Sequence, residues 1–205
     1  SGISLNSKDI KKGFIFFALK GSKTNGENYI HQAIKQGAKL IICSNKCKFK
    51  SNKIGIIKTK KIRDYLSETV SNFYKLKPKN LIAVTGTNGK TSVADFYYQI
   101  LNSYNIPVAS VGTFGVKSKN MRIKTNLTSP DIITLHKNLE ILKKKKVDNV
   151  IIEASSHGLK QNRLDKLNFN VGIFTNFSQD HLDYHKTMKA YLNSKLILFK
   201  KLLPK

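Results

Sequence analysis

The sequence predicts an α/β fold in two parts, a small α/β unit followed by a parallel-sheet domain. Three observations predict it. From Leu81 onward, continuous apolar runs alternate with helix-period runs, the pattern of a parallel sheet covered on both faces. The first 77 residues carry shorter apolar runs around one short helical stretch. Between them "KLKPKN" (75–80) combines a proline with charge, the composition of a boundary, and divides 1–77 from 78–205.

In the first part "FIFFAL" (14–19), "KLIIC" (39–43) and "IGIIK" (54–58) read as strands, with "NYIHQAIKQGA" as a helix between the first two. Ile62, Tyr65, Leu66, Thr69, Val70 and Phe73 then follow helical spacing. In the second part the strands are "LIAVT" (81–85), "VASVG" (108–112), "NVIIEA" (149–154) and "VGIFTN" (171–176). Helices fill 90–103, 131–146 and 187–203. The last helix runs almost to the final residue, so the sheet is expected to be incomplete at its C-terminal end.

The composition, 40% apolar and 24% charged, is that of a globular protein. No apolar run approaches the roughly 18 residues of a membrane span. Cys43 and Cys47 make neither a disulfide framework nor a metal set, which favours the cytosol. The opening "SGISLN" lacks an initiator methionine, so the start is expected to be missing. The net charge of +25 is unusual, yet all but three of the 37 basic residues are lysine. Nucleic-acid readers draw on arginine's planar fork, and scattered lysine beside Asn and Ile argues instead for coding bias. No nucleic-acid partner is expected.

The richest stretch is "VTGTNGKTS" (84–92), a turn between a buried strand and a helix. Gly86 and Gly89 let backbone N–H groups approach an anion, Lys90 can neutralise terminal phosphates, and the Thr91 hydroxyl can hold Mg²⁺. The pattern is shorter than the usual phosphate loop, since Val84 stands where the earlier glycine would be. Glu153 ends an apolar strand, where a carboxylate is either solvated or coordinates a cation. Both features follow carboxyl ends of strands, the edge at which parallel sheets bind ligands. The next strand end adds Asn176, Asp180, His181, Asp183 and His185 as candidate ligands, in an oxygen-rich set that does not suit zinc. Lys195 falls on the apolar stripe of the last helix, beside Tyr191 and Leu192. It either snorkels to solvent or is a desolvated, reactive amine able to take up CO₂ as a carbamate.

Five ordered motifs, "VTGTNGKTS", "LTSPD", "IEASSHGLKQNRL", "FTNFSQDHLDYH" and "MKAYLNSKLILF", resemble those of the Mur ligases. The likeness is strongest to members that add the third peptide residue to UDP-N-acetylmuramoyl-L-alanyl-D-glutamate in peptidoglycan synthesis. "LNSKDIKKGFIFFALKGSKTNGENYIHQAIKQGA" extends it to their UDP-binding domain. The resemblance implies a UDP-substrate-binding domain followed by a P-loop-type ATPase domain. It implies ATP on Gly86, Thr87, Asn88, Gly89, Lys90, Thr91 and Ser92, and Mg²⁺ on Thr91, Glu153, His181 and a carbamylated Lys195. Lys90, His181 and Lys195 form the catalytic set. Leu5, Ser7, Ser22, Lys23 and Thr24 would hold the uridine nucleotide; Thr128, Ser129, Ser155, Gln161 and Arg163 would hold the sugar-peptide.

The chemistry so implied is transfer of the γ-phosphoryl of ATP to the D-glutamate side-chain carboxylate. The amine of a diamino acid, meso-diaminopimelate in most of the family and L-lysine in others, then attacks the acyl phosphate. A cytoplasmic monomer is expected. Family members continue into a C-terminal amino-acid-binding domain, so these 205 residues read as a fragment without ligase turnover of its own. Folylpolyglutamate synthetase is the nearest rival within the superfamily, but it reads glycine where Thr91 stands. A non-catalytic UDP-sugar or nucleic-acid binding module is the rival from another class.

Overall fold

A computed structural model describes residues 2–21, 24–125 and 127–204. The chain divides into two compact units, 1–70 and 71–205. The division falls inside a helix, upstream of the proline-bearing segment in which the sequence places its boundary.

Unit 1 is a four-stranded parallel sheet in the order β1 (Ile3–Ser4), β2 (Ile15–Phe17), β3 (Leu40–Ser44), β4 (Gly55–Thr59). Helix α1 (Ile30–Lys35) connects β2 to β3, and α2 (Ile62–Phe73) follows β4. Phe16, Ile30, Ala33, Ile41 and Cys43 form its core, with Cys47 at the margin. Burial beside Cys47 pushes the Cys43 thiol up to about 12, so it packs as a small apolar group. Strand β1 is absent from the sequence reading because two residues carry no periodicity.

Unit 2 begins with β5 (Asn80–Thr85) and α3 (Lys90–Ser103), then β6 (Val108–Gly112), β7 (Gly115–Ser118) and β8 (Met121–Ile123). It continues through α4 (Ile132–Lys144), β9 (Asn149–Glu153), α5 (Ser156–Lys160), β10 (Val171–Phe174), α6 (Leu182–His185) and α7 (Met188–Ile197). A π-helical turn, Leu198–Leu202, extends α7. The sheet order is β10-β5-β9-β6-β7-β8, parallel from β10 to β6 and antiparallel thereafter. Thus β5, β9 and β6 are central, and their alternate residues Leu81, Ala83, Val150, Ile152, Ala109 and Val111 pack with Leu135, Leu139 and Leu142 of α4. Val84, Ile151 and Ala94 of α3 fill the opposite face. Burial on both faces explains why these strands read as unbroken apolar runs.

Helix starts follow local chemistry. Asp131 caps α4 by accepting from the N–H groups of Ile133 and Thr134, and Thr187 caps α7 by accepting from Ala190 N–H. Among the described residues, no helix is long and apolar enough to cross a membrane.

Candidate phosphate and cation site

The carboxyl ends of β10, β5, β9 and β6 lie side by side, and each delivers a polar group to one cleft of about 240 Å³. That volume is small for a whole nucleotide and suits its phosphates with a cation.

The turn after β5 forms the floor. Gly86 has φ 148°, and a Cβ there would collide with Thr175 Oγ1, so only glycine fits. The strand-end segment after β10 splints this turn. Thr175 Oγ1 donates to Asn88 O (2.6 Å), Asn88 N–H donates to Asn176 Oδ1 (3.0 Å), and Thr87 N–H donates to Asn176 O (3.0 Å). Thr87 Oγ1 also accepts from Ser178 N–H (3.0 Å) and from Tyr191 OH (3.3 Å). These bonds fix the loop's conformation, with Lys90 opening α3 behind it.

Glu153 is 2% exposed and fully engaged. Its Oε2 accepts from Thr91 Oγ1 (2.8 Å) and Thr113 Oγ1 (3.2 Å), while Oε1 accepts from Thr113 N–H (2.9 Å). The approach is close enough that a Cβ on Gly112 would strike the carboxylate. An unpaired buried carboxylate is costly, and here only neutral donors meet it. A carboxylate beside two threonine hydroxyls at a phosphate loop is an oxygen set that a hard divalent cation fits.

Lys195 is 1% exposed, which removes the snorkelling reading. Its Nζ donates to Gly86 O (2.6 Å) and lies 4.2 Å from the centre of the Tyr191 ring. Lys90 Nζ donates to the same carbonyl (2.9 Å) and to Thr87 O (2.8 Å). Burial pushes the Lys195 amine down to about 8, with the neighbouring Lys90 ammonium adding to it against Asp180. Burial lowers Lys90 too, with Glu153 and Asp180 pulling it back. The two lysine amines converge on one carbonyl and neither is ion-paired to a carboxylate among the described residues, an arrangement that an anion fits.

His181 starts α6 in a left-handed conformation (φ 53°) and lines the cleft, its Nε2 3.4 Å from Asp180 Oδ2. Its ring meets His157 edge-on at 4.9 Å. His185 lies behind, buried, with Nε2 3.0 Å from Ser156 Oγ. Burial first, then the surrounding His157, Lys160, His181 and Lys195, push it down to about 4. Ser92, Thr128 and Ser155 also line the cleft. Ser129 does not: it is 1% exposed, and its hydroxyl reaches Glu153 O (2.8 Å) and Ser155 Oγ (3.0 Å). It braces the acid's strand from behind. Arg163 reaches Ser129 O through Nη1 (2.7 Å) and Gln161 Oε1 through Nη2 (2.7 Å), tying both to this edge.

In unit 1, Leu5 is half-buried, Thr24 is exposed, and Ser7 is buried with its hydroxyl donating to Gln32 Oε1 (2.7 Å). Ser22 and Lys23 lie outside the described residues. Sequence reasoning missed Thr113, Thr175 and Tyr191. Thr113 directly follows "VASVG", so the strand-end rule that singles out Glu153 also points to it. Tyr191 was legible only as an apolar stripe residue.

The fold and this edge define an α/β domain of the phosphate-loop type. The chain belongs to the Mur ligase family: the Mur ligase middle domain matches residues 84–205, and the Mur ligase family catalytic domain matches residues 1–74. It is 40% identical over 205 residues to the UDP-N-acetylmuramoyl-L-alanyl-D-glutamate–2,6-diaminopimelate ligase of Brucella melitensis. It is 44% identical over 203 residues to the Rickettsia bellii protein of the same name. It covers 100% and 97% of itself in these matches but 42% and 41% of the relatives, so it spans well under half their length. A solved structure of a ligase of that name superposes with a TM-score of 0.80 at 29% identity, over 98% of this chain and 41% of that one. The fold is shared more distantly with a MurF ligase from Thermotoga maritima solved with ADP, at TM-score 0.62 and 23% identity.

Proposed function

We propose that this chain supplies the UDP-substrate-binding and ATP-binding parts of an ATP-dependent acid–amino-acid ligase of peptidoglycan synthesis. The ligase joins a diamino acid, meso-diaminopimelate by the names of its relatives, to UDP-N-acetylmuramoyl-L-alanyl-D-glutamate. The observation that carries the reading is the convergence of Thr91, Glu153, Lys90 and Lys195 on one cleft.

Bound ATP and Mg²⁺ supply the phosphoryl group and the charge that offsets its transfer to the substrate carboxylate. The chain's own residues do the positioning. Asn176 takes the Thr87 and Asn88 N–H groups, so the Gly89–Thr91 start of α3 would meet the phosphate, and Lys90 would leave its carbonyl partners for the terminal phosphates. Glu153 and Thr91 would hold the cation, with His181 of the same cleft as a further ligand. Lys195, as a carbamate, would be an anion beside Lys90 able to hold a second cation. Thr128, Ser155, Gln161 and Arg163 take the sugar-peptide, and Leu5, Ser7 and Thr24 the uridine nucleotide. All of this is work for the cytoplasm, where ATP and the nucleotide-linked precursor are found.

The test uses protein of its relatives' length that contains this chain. Incubation with ATP, Mg²⁺, the UDP-muramoyl-dipeptide and meso-diaminopimelate should yield ADP, phosphate and a product heavier by one amide-linked diaminopimelate in mass spectrometry. ADP release without that product would contradict the reading.

A further inference from the structure

One corner of the fold grips Glu153: Gly112, the last residue of β6, and Thr113, which follows it and lines the cleft. A Cβ on Gly112 would overlap Glu153 Oε1, Cδ and Cγ, so the acid lies directly against glycine backbone. Thr113 engages both carboxylate oxygens. Its N–H donates to Oε1 (2.9 Å) and its hydroxyl to Oε2 (3.2 Å). Thr91 Oγ1 is a second donor to Oε2 (2.8 Å).

The two oxygens are therefore unequal. Oε1 is closed by Gly112 and held by a backbone N–H that cannot turn away. Oε2 meets only hydroxyls, which rotate. Thr113 Oγ1 has a second acceptor in Thr128 Oγ1 (3.3 Å), and Thr91 Oγ1 has one in Thr113 Oγ1 (3.4 Å). A cation can take Oε2 while both hydroxyls keep partners. Glu153 is thus built to offer one oxygen. Among the described residues, no three acidic, histidine or cysteine side chains are grouped to hold a metal, so the site lacks the cage of a protein-only cation site.

These features separate two hard cations. Ca²⁺ gathers roughly six to eight oxygens and often takes both oxygens of a carboxylate. Mg²⁺ is smaller, keeps several waters, and binds through one or two carboxylates together with a nucleotide's phosphates. We infer that the Gly112–Thr113 corner sets the choice of cation: it makes Glu153 a one-oxygen ligand and so fits the cleft to Mg²⁺ over Ca²⁺. Thr113 is a positioning residue that acts through Glu153. The inference rests on the proposed function and adds to it the residues that select the metal.

Isothermal titration calorimetry on the 205-residue chain tests it, with ADP as its Mg²⁺ complex, as its Ca²⁺ complex and free of metal. Thr113 is the residue to change, because Gly112→Ala would also strain the strand end. The parent should bind Mg²⁺·ADP at least about tenfold more tightly than Ca²⁺·ADP. Thr113→Val keeps the N–H and removes the hydroxyl; it should weaken Mg²⁺·ADP about tenfold, weaken Ca²⁺·ADP less, and leave metal-free ADP unchanged. Thr113→Ser should restore the Mg²⁺ preference. A parent that binds the two metal complexes equally, a Thr113→Val variant that keeps the full Mg²⁺ preference, or an equal loss for all three ligands overturns this inference alone. A parent that binds none of the three overturns it together with the nucleotide assignment.

Discussion

Units 1 and 2 are both parallel α/β sheets, yet they differ in what they bury. Among the described residues, the buried polar side chains of unit 1 are Ser4, Ser7 and Ser67, none of them charged. Unit 2 buries Glu153, Asp165, Lys195, His136 and His185. The cleft of unit 1, about 480 Å³, is lined by Lys20, Lys46, Lys60, Lys61 and Arg63, whose lysines are exposed. Such a surface offers a positive field and little fixed geometry. Unit 2 buries Glu153 at a strand end and Lys195, His136 and His185 on helices, where desolvation makes them costly and chemically useful. The contrast fits the proposed division of recognition to unit 1 and chemistry to unit 2.

Acid should break the two units unequally, and this is the largest effect expected. His136 is 0% exposed, its Nδ1 has no hydrogen-bond partner, and burial pushes it down to about 4 from 6.5. Between those values the unfolded chain binds the proton that the folded chain refuses. The contribution is therefore complete above about pH 6.5 and lost as pH falls to about 4, some ~3 kcal/mol in all. His185 acts in the same direction. Hydrogen exchange measured across that range should show unit 2 amides losing protection while those of unit 1 keep theirs, and His136→Leu should flatten the dependence.

Nucleotide affinity is the next test. Lys90→Ala should weaken Mg²⁺·ATP about a hundredfold by calorimetry, since a half-buried cation proposed to face phosphate is lost. The smallest effect sharpens the comparison from the other side. Ser7→Ala in unit 1 should leave ATP affinity unchanged and weaken the UDP-linked substrate by roughly fivefold, the worth of one hydrogen bond. An ATP affinity that followed Ser7 would break the division of labour.

Much of this organisation was legible because parallel strands buried on both faces write continuous apolar runs. "LIAVT", "VASVG" and "NVIIEA" each appear as strands within a residue or so. The β7–β8 hairpin was not legible, because "GVKS" and "MRI" are short and place Lys117 and Arg122 among their apolar residues. The hairpin matters, since Thr113 at its turn holds Glu153. Glu153 announced itself as a charge ending an apolar strand. Lys195 stood out on its apolar stripe with two readings open, because a helical stripe cannot distinguish a lysine that snorkels from one that is sealed. Only packing decides that, and Tyr191 and the Gly86 carbonyl seal it here. Thr113 and Thr175 carry no charge, so although one follows a strand end and the other stands in a quoted motif, their bonds to Glu153 and Asn88 emerge only when strand ends are set side by side.

The central claim is that the turn at 86–91 and the acid at 153 hold a nucleotide's phosphates and a divalent cation as one unit. Calorimetric titration of ATP into the chain with Mg²⁺, and again with the metal chelated, tests it directly when repeated on Glu153→Gln. The account predicts tight binding with Mg²⁺, at least about tenfold weaker binding without it, and a variant whose affinity no longer responds to the metal. Equal affinity with and without Mg²⁺ in the parent chain, or an undiminished metal response in Glu153→Gln, would contradict it.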